Sequence, residues 1–353
     1  MKVRLGDVCD KASSSIIQKS LEKHEGKYPI YGASGLIKYV DFYQREKPYI
    51  AVVKDGAGIG RVMKLPAYSS VIGTMQYIIP NEKVDINYLV YSMEYMNLAK
   101  YFSGATIPHI YFRDYQKEPL NLPEIKVQKK IGGILSNIEK LIAFRNQELS
   151  KFDQLVKSRF IELFGDPVSN DKFWNLAILQ DVTSEIGSGA TPKGGKSSYQ
   201  KEGIPFIRSM NVHDGVFLSK DLAYLSDKQA KQLENVIVKE NDVLLNITGA
   251  SVARSCIVPK TVIPARVNQH VSIIRCIPKY LNPEFLNKLF LHHRYKNLLL
   301  SLGEAGGATR QAITKSQLEK LQIILPPLTL QNEFADFVQQ VDKSKYGEIL
   351  NAL

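Results

Sequence analysis

The sequence predicts a mixed α/β protein in which two globular domains are separated by long helices that pair as an antiparallel coiled coil. Three observations carry this expectation. They are an internal repeat, a proline-free heptad segment near the middle of the chain, and short β-rich runs on either side of it.

The repeat comes first because it sets the architecture. Leu122-Pro123-x-Ile125-x-Val127-Gln128 recurs at an offset of 203 residues as Leu325-Pro326-x-Leu328-x-Leu330-Gln331. The same offset carries Ile131, Ile134, Leu135, Ile138 and Lys140 onto Phe334, Phe337, Val338, Val341 and Lys343, and Gly104-Ala105-Thr106 onto Gly307-Ala308-Thr309. At other offsets, as insertions and deletions produce, Asp55-Gly56-Ala57-Gly58-Ile59-Gly60-Arg61 faces Thr248-Gly249-Ala250-Ser251-Val252-Ala253-Arg254. Leu5-x-Asp7-Val8 likewise faces Leu179-x-Asp181-Val182. The landmarks keep their order, so the chain reads as a globular domain plus a helix, duplicated. The expected segments are a first domain at 1–122, a central helix at 123–167, a second domain at 168–325 and a shorter C-terminal helix at 326–353.

The central helix is written in its periodicity. No proline occurs from Val127 to Phe164, and Leu135, Ile142, Leu149, Val156 and Leu163 recur every seven residues. Ile131, Ile138 and Phe152 supply the second seam position, with Arg145 and Arg159 interrupting it. Such a segment spans ~57 Å at 1.5 Å per residue. Gly165-Asp166-Pro167 ends it, since glycine accepts the left-handed conformation and proline cannot continue a helix. The second copy keeps the seam at Phe334, Val338 and Val341, then slips at Lys345. A lone amphipathic helix is commonly structural, but a second helix with a matching seam makes intramolecular antiparallel pairing the economical arrangement. Around these helices, Tyr49–Val53, Val243–Ile247 and Val271–Ile274 read as strands, and Asn282 to Leu300 as an amphipathic helix.

Composition narrows the function classes. At 353 residues with 44% hydrophobic content the chain can build two cores, and no apolar run approaches the roughly 18–20 residues of a membrane span. The three cysteines, Cys9, Cys256 and Cys276, are odd in number and lack CxxC spacing, which fits a reducing cytoplasm. A net charge of +11 favours a polyanionic partner, although a ribosomal or membrane-surface protein would carry the same surplus.

Three segments imitate enzymes. Ala190-Thr191-Pro192-Lys193-Gly194-Gly195-Lys196-Ser197 has phosphate-loop composition, but no apolar strand feeds it and Gly203-Ile204-Pro205 follows too soon for a helix. Asp55–Gly60 resembles an S-adenosylmethionine loop, yet Ser251 and Ala253 replace Gly58 and Gly60 in the other copy while the arginine stays. The shared feature is a tight turn delivering Arg61 or Arg254. Asp114 with Glu124-Ile125-Lys126 echoes a nuclease metal pattern, but an acid after Pro123 suits a helix N-terminus by its dipole alone. The six histidines show no ligand spacing, so neither a catalytic residue nor a metal site is expected.

Polar loops at equivalent positions of the repeat then become the candidates for DNA recognition. Arg61 and Arg254 suit phosphates or guanine edges, and Arg266, Asn268, Gln269 and His270 offer bidentate and hydrogen-bonding groups. Thr106 and His109 face Thr309, Arg310 and Gln311 across the repeat, and Thr191, Lys193, Lys196 and Arg208 complete the set. Each of these residues also reads as an ordinary turn or cap residue.

The order of motifs carries a family resemblance. Lys157-Ser158-Arg159-Phe160-Ile161-Glu162-Leu163-Phe164-Gly165-Asp166-Pro167, followed by Trp174, resembles the junction between central helix and second recognition domain of type I restriction-modification specificity subunits. Gly189-Ala190-Thr191-Pro192, Tyr199 and Gly203–Arg208 resemble the opening of that domain, and Leu325-Pro326-Pro327 its close. The resemblance implies a non-catalytic subunit whose two target-recognition domains bind the halves of a bipartite, asymmetric double-stranded DNA site. It further implies helices that dock two methyltransferase subunits, with a restriction and translocase subunit joining them. S-adenosylmethionine, ATP and magnesium would sit on those partners, and no membrane is involved. Two rival readings are an independent duplicated DNA-binding regulator and a single-chain nuclease or modification enzyme. Co-purification with a methyltransferase separates the first, and cleavage or methylation by the chain alone the second.

Overall fold

The computed structural model describes residues 1–104, 108–304 and 311–351, from 346 onward as backbone only. Two compact units divide it, Met1–Gln147 and Glu148–Leu353. The central helix, Ile125–Phe164, runs through the division, and the C-terminal helix covers Leu328–Asn351.

The two units share one topology. In the first, Cys9–Ser13, Met75–Pro80, Tyr49–Val53 and Val62–Leu65 lie side by side in that order in a four-stranded antiparallel sheet. In the second, Thr183–Ser188, Val271–Cys276, Val243–Asn246 and Ser255–Ile257 repeat the order. Each unit adds a strand with one antiparallel and one parallel neighbour, Tyr28–Gly32 in the first and Ile204–Ile207 in the second. Each also closes its chain ends as a two-stranded ribbon, Lys2–Arg4 with Pro119–Asn121 and Leu176–Ile178 with Gln322–Ile324. The Leu-x-Asp-Val landmarks form 3-10 turns, Leu5–Asp7 and Leu179–Val182, whose Leu5, Val8, Leu179 and Val182 enter the cores. Leucine and valine at that spacing fall on one side of a tight turn, so burial there follows from the motif.

A polar pair inside the second core is fully satisfied. Asp242 is buried, and both its carboxylate oxygens accept at 2.8 Å from Arg275, whose Nη2 also donates to the Ile237 carbonyl. Lys239 donates its backbone N–H to the same carboxylate at 2.7 Å. Burying the charge is tolerable because every facing group answers it.

The expected antiparallel pairing of the two long helices is present over the last part of the seam. The contact with the C-terminal helix is built on Val156, Phe160 and Phe164, flanked by the half-buried Phe152 and Leu163. Phe160 and Phe164 meet Phe334 edge-on at 5.5 and 5.4 Å, and Val338 and Val341 join the same cluster. The pairing is antiparallel, with Arg159 on Glu333 at one end and Asp153 on Lys345 towards the other. Residues four apart line this stripe because a straight helix turns every 3.6 residues and drifts off a strict seven-residue repeat. In the earlier part of the seam, Ile131, Ile138 and Ile142 are 36, 46 and 56% exposed, and Leu135 and Leu149 are half-buried. The C-terminal helix has 24 residues against 40 in the central one.

The helix expected from Asn282 to Leu300 is two helices, Pro283–Leu291 and His293–Glu304. His292 between them takes an extended backbone, which redirects the second helix so that Tyr295 and Leu299 enter the same core as Phe285 and Phe290.

Candidate nucleic-acid interface

The glycine-rich segment of each unit is the tip of a hairpin, and the two hairpins match bond for bond. Val53 N–H donates to the Arg61 carbonyl at 2.9 Å and Gly60 N–H to the Val53 carbonyl at 2.8 Å. In the second unit Asn246 N–H donates to Arg254 at 2.8 Å and Ala253 N–H to Asn246 at 2.9 Å. Gly60 has φ +78°, and a Cβ there would lie 2.3 Å from the Ala99 backbone nitrogen, so the first copy requires glycine. Ala253 holds the corresponding left-handed conformation at φ +64°. The segment is therefore a structural turn, which explains how the other copy dispenses with two glycines.

A second loop is tied to each hairpin in the same way. Gly56 N–H donates to the Pro108 carbonyl at 3.0 Å and Gly249 N–H to the Gln311 carbonyl at 2.9 Å. Ile110 donates to Lys54, and Ile313 to Ile247. One frame is thus built twice, but the side chains on it differ. In the first unit Asp55 opens the hairpin tip, takes Lys54 Nζ at 2.8 Å and hydrogen-bonds Nδ1 of His109. His109 lies against Tyr111, and the Arg113 guanidinium sits over that ring at 4.6 Å. In the second unit Thr248 opens the tip and hydrogen-bonds Nδ1 of His270, which comes from a different loop. His270 and Gln269 make a side-chain contact at 3.2 Å, and Thr191 hydrogen-bonds Gln269.

The structure sorts the sequence candidates into groups. Thr191, Gln269 and His270 form one connected chain, with exposed Lys193 and Lys196 on the same loop as Thr191. Gln311 is half-buried and donates to Glu304 at 2.7 Å, while its carbonyl anchors the hairpin. Arg61 is exposed and donates to the Ala33 carbonyl at 2.7 Å, and Arg254 is half-buried. Arg208 stands apart, over the Tyr199 ring and bonded to the Asp221 carbonyl. Thr106, Thr309 and Arg310 lie outside the described residues.

Two candidates are corrected by burial. Arg266 is 8% exposed and donates to the Ala230 and Ala265 carbonyls at 3.1 Å each, and burial pulls its pKa below the ordinary value. It braces a strand and offers no edge to a duplex. Asn268 is buried, its carbonyl accepts from Gly189 N–H, and its side chain accepts the His270 N–H at 3.0 Å, closing a turn. Sequence reasoning passed over Asp55, Tyr111, Arg113 and Thr248. Asp55 and Thr248 were available as the first residues of the matched seven-residue segments.

The segment of phosphate-loop composition resolves structurally. Gly194 leads only into the 3-10 turn Gly195–Ser198, too short to point helix amides at a phosphate. Among the described residues, no three His, Cys, Asp or Glu side chains are grouped to hold a metal, and no helix is long and apolar enough to cross a membrane.

Comparison with known proteins adds an independent line. The sequence profile of the type I restriction modification DNA specificity domain matches residues 1–152 and 173–353. The type I restriction enzyme MjaVIII specificity subunit of Methanocaldococcus jannaschii is 23% identical, over 96% of this chain and 85% of that protein. The crystal structure of a type I restriction-modification S subunit from M. genitalium superposes with a TM-score of 0.71 at 14% identity, covering 100% of this chain and 92% of that one. A structure describing complex assembly and conformational transition of a type I system gives a TM-score of 0.53 at 16% identity, covering 98 and 91%.

Proposed function

The chain belongs to the family of type I restriction-modification DNA specificity proteins, and from that premise we propose that it reads a bipartite, asymmetric double-stranded DNA site. It is a non-catalytic specificity subunit. Each hairpin-and-loop frame takes one half-site, the first through the loops bearing Arg61 and His109, the second through those bearing Lys193, Lys196, Gln269 and Arg254. The observation that carries this reading is the twice-built frame with unlike side chains. A common backbone geometry suits two equivalent dockings on a duplex, and different side chains suit different base edges. The net charge of +11 supplies the phosphate attraction that such binding needs.

The partners follow from the same reading. The uncovered apolar stripe on the first part of the central helix, Ile134, Ile138, Leu141 and Phe144 at 46–66% exposure, is the dock for a methyltransferase subunit. Two such subunits and a restriction and translocase subunit complete the assembly in the cytoplasm, and S-adenosylmethionine, ATP and magnesium work on those partners. Residues 1–122 and 168–325 act as exchangeable recognition modules.

The test is to co-express the chain with its methyltransferase subunit and sequence the methylated motifs. Two unlike short half-sites at a fixed gap are expected. A single contiguous motif, or the same methylation without this chain, would overturn the proposal.

A further inference from the structure

Each unit buries one glutamine at the root of its long helix. Gln128 and Gln331 are 1 and 0% exposed, and they stand at equivalent positions of the repeat. Gln128 accepts from the backbone N–H of Asp85 at 2.9 Å and donates to the carbonyls of Lys83 at 3.1 Å and Pro123 at 2.8 Å. Gln331 accepts from Asn282 at 2.9 Å and donates to Tyr280 at 3.1 Å and Pro326 at 2.8 Å. The three bonds and their lengths are the same in both units.

What these bonds join is informative. Asp85 and Asn282 cap the helices Ile86–Tyr95 and Pro283–Leu291, each accepting two backbone N–H groups of its first turn. Lys83 and Tyr280 lie on the loops that follow the strands Met75–Pro80 and Val271–Cys276, and Pro123 and Pro326 stand two residues before the long helices. One amide therefore ties sheet, domain helix and long helix together. In the first unit the helices also approach closely: a Cβ on Gly132 would lie 2.8 Å from Asn87 Cβ.

A leucine would fill the same volume without any polar group to satisfy, so packing alone does not require glutamine. A buried amide with both donors used fixes direction, because a slip of one residue along the helix turns the side chain away by about 100°. We propose that Gln128 and Gln331 are positioning residues that lock each recognition domain at one angle and height on its helix, and thereby fix the gap between half-sites. The inference rests on the bipartite reading above.

The test uses the full chain with its methyltransferase subunits and a plasmid library in which the half-sites are separated by gaps of varied length. Gln128→Leu and Gln331→Leu remove the bonds, and Gln147→Ala, at an exposed position of the central helix, is the control. Wild type and control should methylate one gap length. The two leucine variants should keep both half-site sequences while discrimination against gaps one base pair longer or shorter falls by about tenfold, the scale of one base pair of specificity. A merely structural role would lower methylation at every gap alike and leave discrimination unchanged, and that result overturns the proposal. If the wild type shows no bipartite motif, the failure lies with the functional reading instead. Hydrogen exchange on the wild-type chain gives a reading that needs no variant. The Asp85 and Asn282 amides should be among the slow ones, and rapid exchange at both would also overturn the proposal.

Discussion

An insertion in the central helix separates two roles for it, spacer and dock. Ser150 is exposed and lies just before Phe152, which packs against the cluster shared with the C-terminal helix, so an insertion after it leaves the packing of Phe152, Val156, Phe160 and Phe164 in register. Four extra residues lengthen the helix by ~6 Å and turn it by ~400°, which is ~40° beyond a full turn. Two base pairs of DNA add ~7 Å and ~69° in the same right-handed sense, so the mismatch is only ~1 Å and ~30°. Seven residues add ~10.5 Å but leave the helix about 20° short of two full turns. The matching three base pairs turn by ~103°, a mismatch of ~120°. If the helix is a spacer lying along the duplex, the four-residue variant should methylate sites whose gap is about two base pairs longer, and the seven-residue variant should be inactive. If the helix only docks partners, the seven-residue insertion preserves the heptad and should be the better tolerated, with no change of gap. Sequencing the motifs methylated by each variant, with circular dichroism to verify folding, decides the matter. An active four-residue variant with an unchanged gap would refute the spacer argument.

Four further outcomes are expected. Phe160→Ala should lower the stability of the second unit by about 3–5 kcal/mol in denaturant titration, because the ring is 3% exposed among Phe164, Phe285 and Phe334, whereas Ile138→Ala at 46% exposure should stay within about 0.5 kcal/mol. Arg275→Leu strands the buried Asp242 carboxylate and should cost about 3–5 kcal/mol, visible as a lowered Tm; an unchanged Tm would show that the pair is dispensable. His292 is held below the ordinary imidazole pKa by burial first and by neighbouring His293 second. The unfolded chain then binds its proton first as pH falls through about 6.5, so stability should decline between pH 7.5 and 5.5, and His292→Gln should flatten that decline. The thiols of Cys9, Cys256 and Cys276 are pushed up to about 12, mainly by burial, so a thiol reagent at pH 8 should label the unfolded chain and spare the folded one.

The sequence by itself determined the duplication, the mixed α/β class and the central helix, because these are recorded locally. A repeat is a statement about residue order, and a proline-free apolar period dictates helix before any neighbour is known. The turn at Gly165 was legible for the same reason: glycine there takes φ +72°. Three things were decided only in the tertiary structure. Arg266 and Asn268 looked like readers of bases, and no local pattern says that neighbouring strands bury them. The helix contact adds Phe160 and Phe164 to the seam positions Phe152, Val156 and Leu163, since which face is covered depends on where the partner helix lies. Gln128 and Gln331 appeared in the repeat as unexplained matches. Their role depends on backbone groups of Lys83, Asp85, Tyr280 and Asn282, 43 to 51 residues away in the chain, and a side chain's hydrogen bonds to distant backbone leave no periodicity to read.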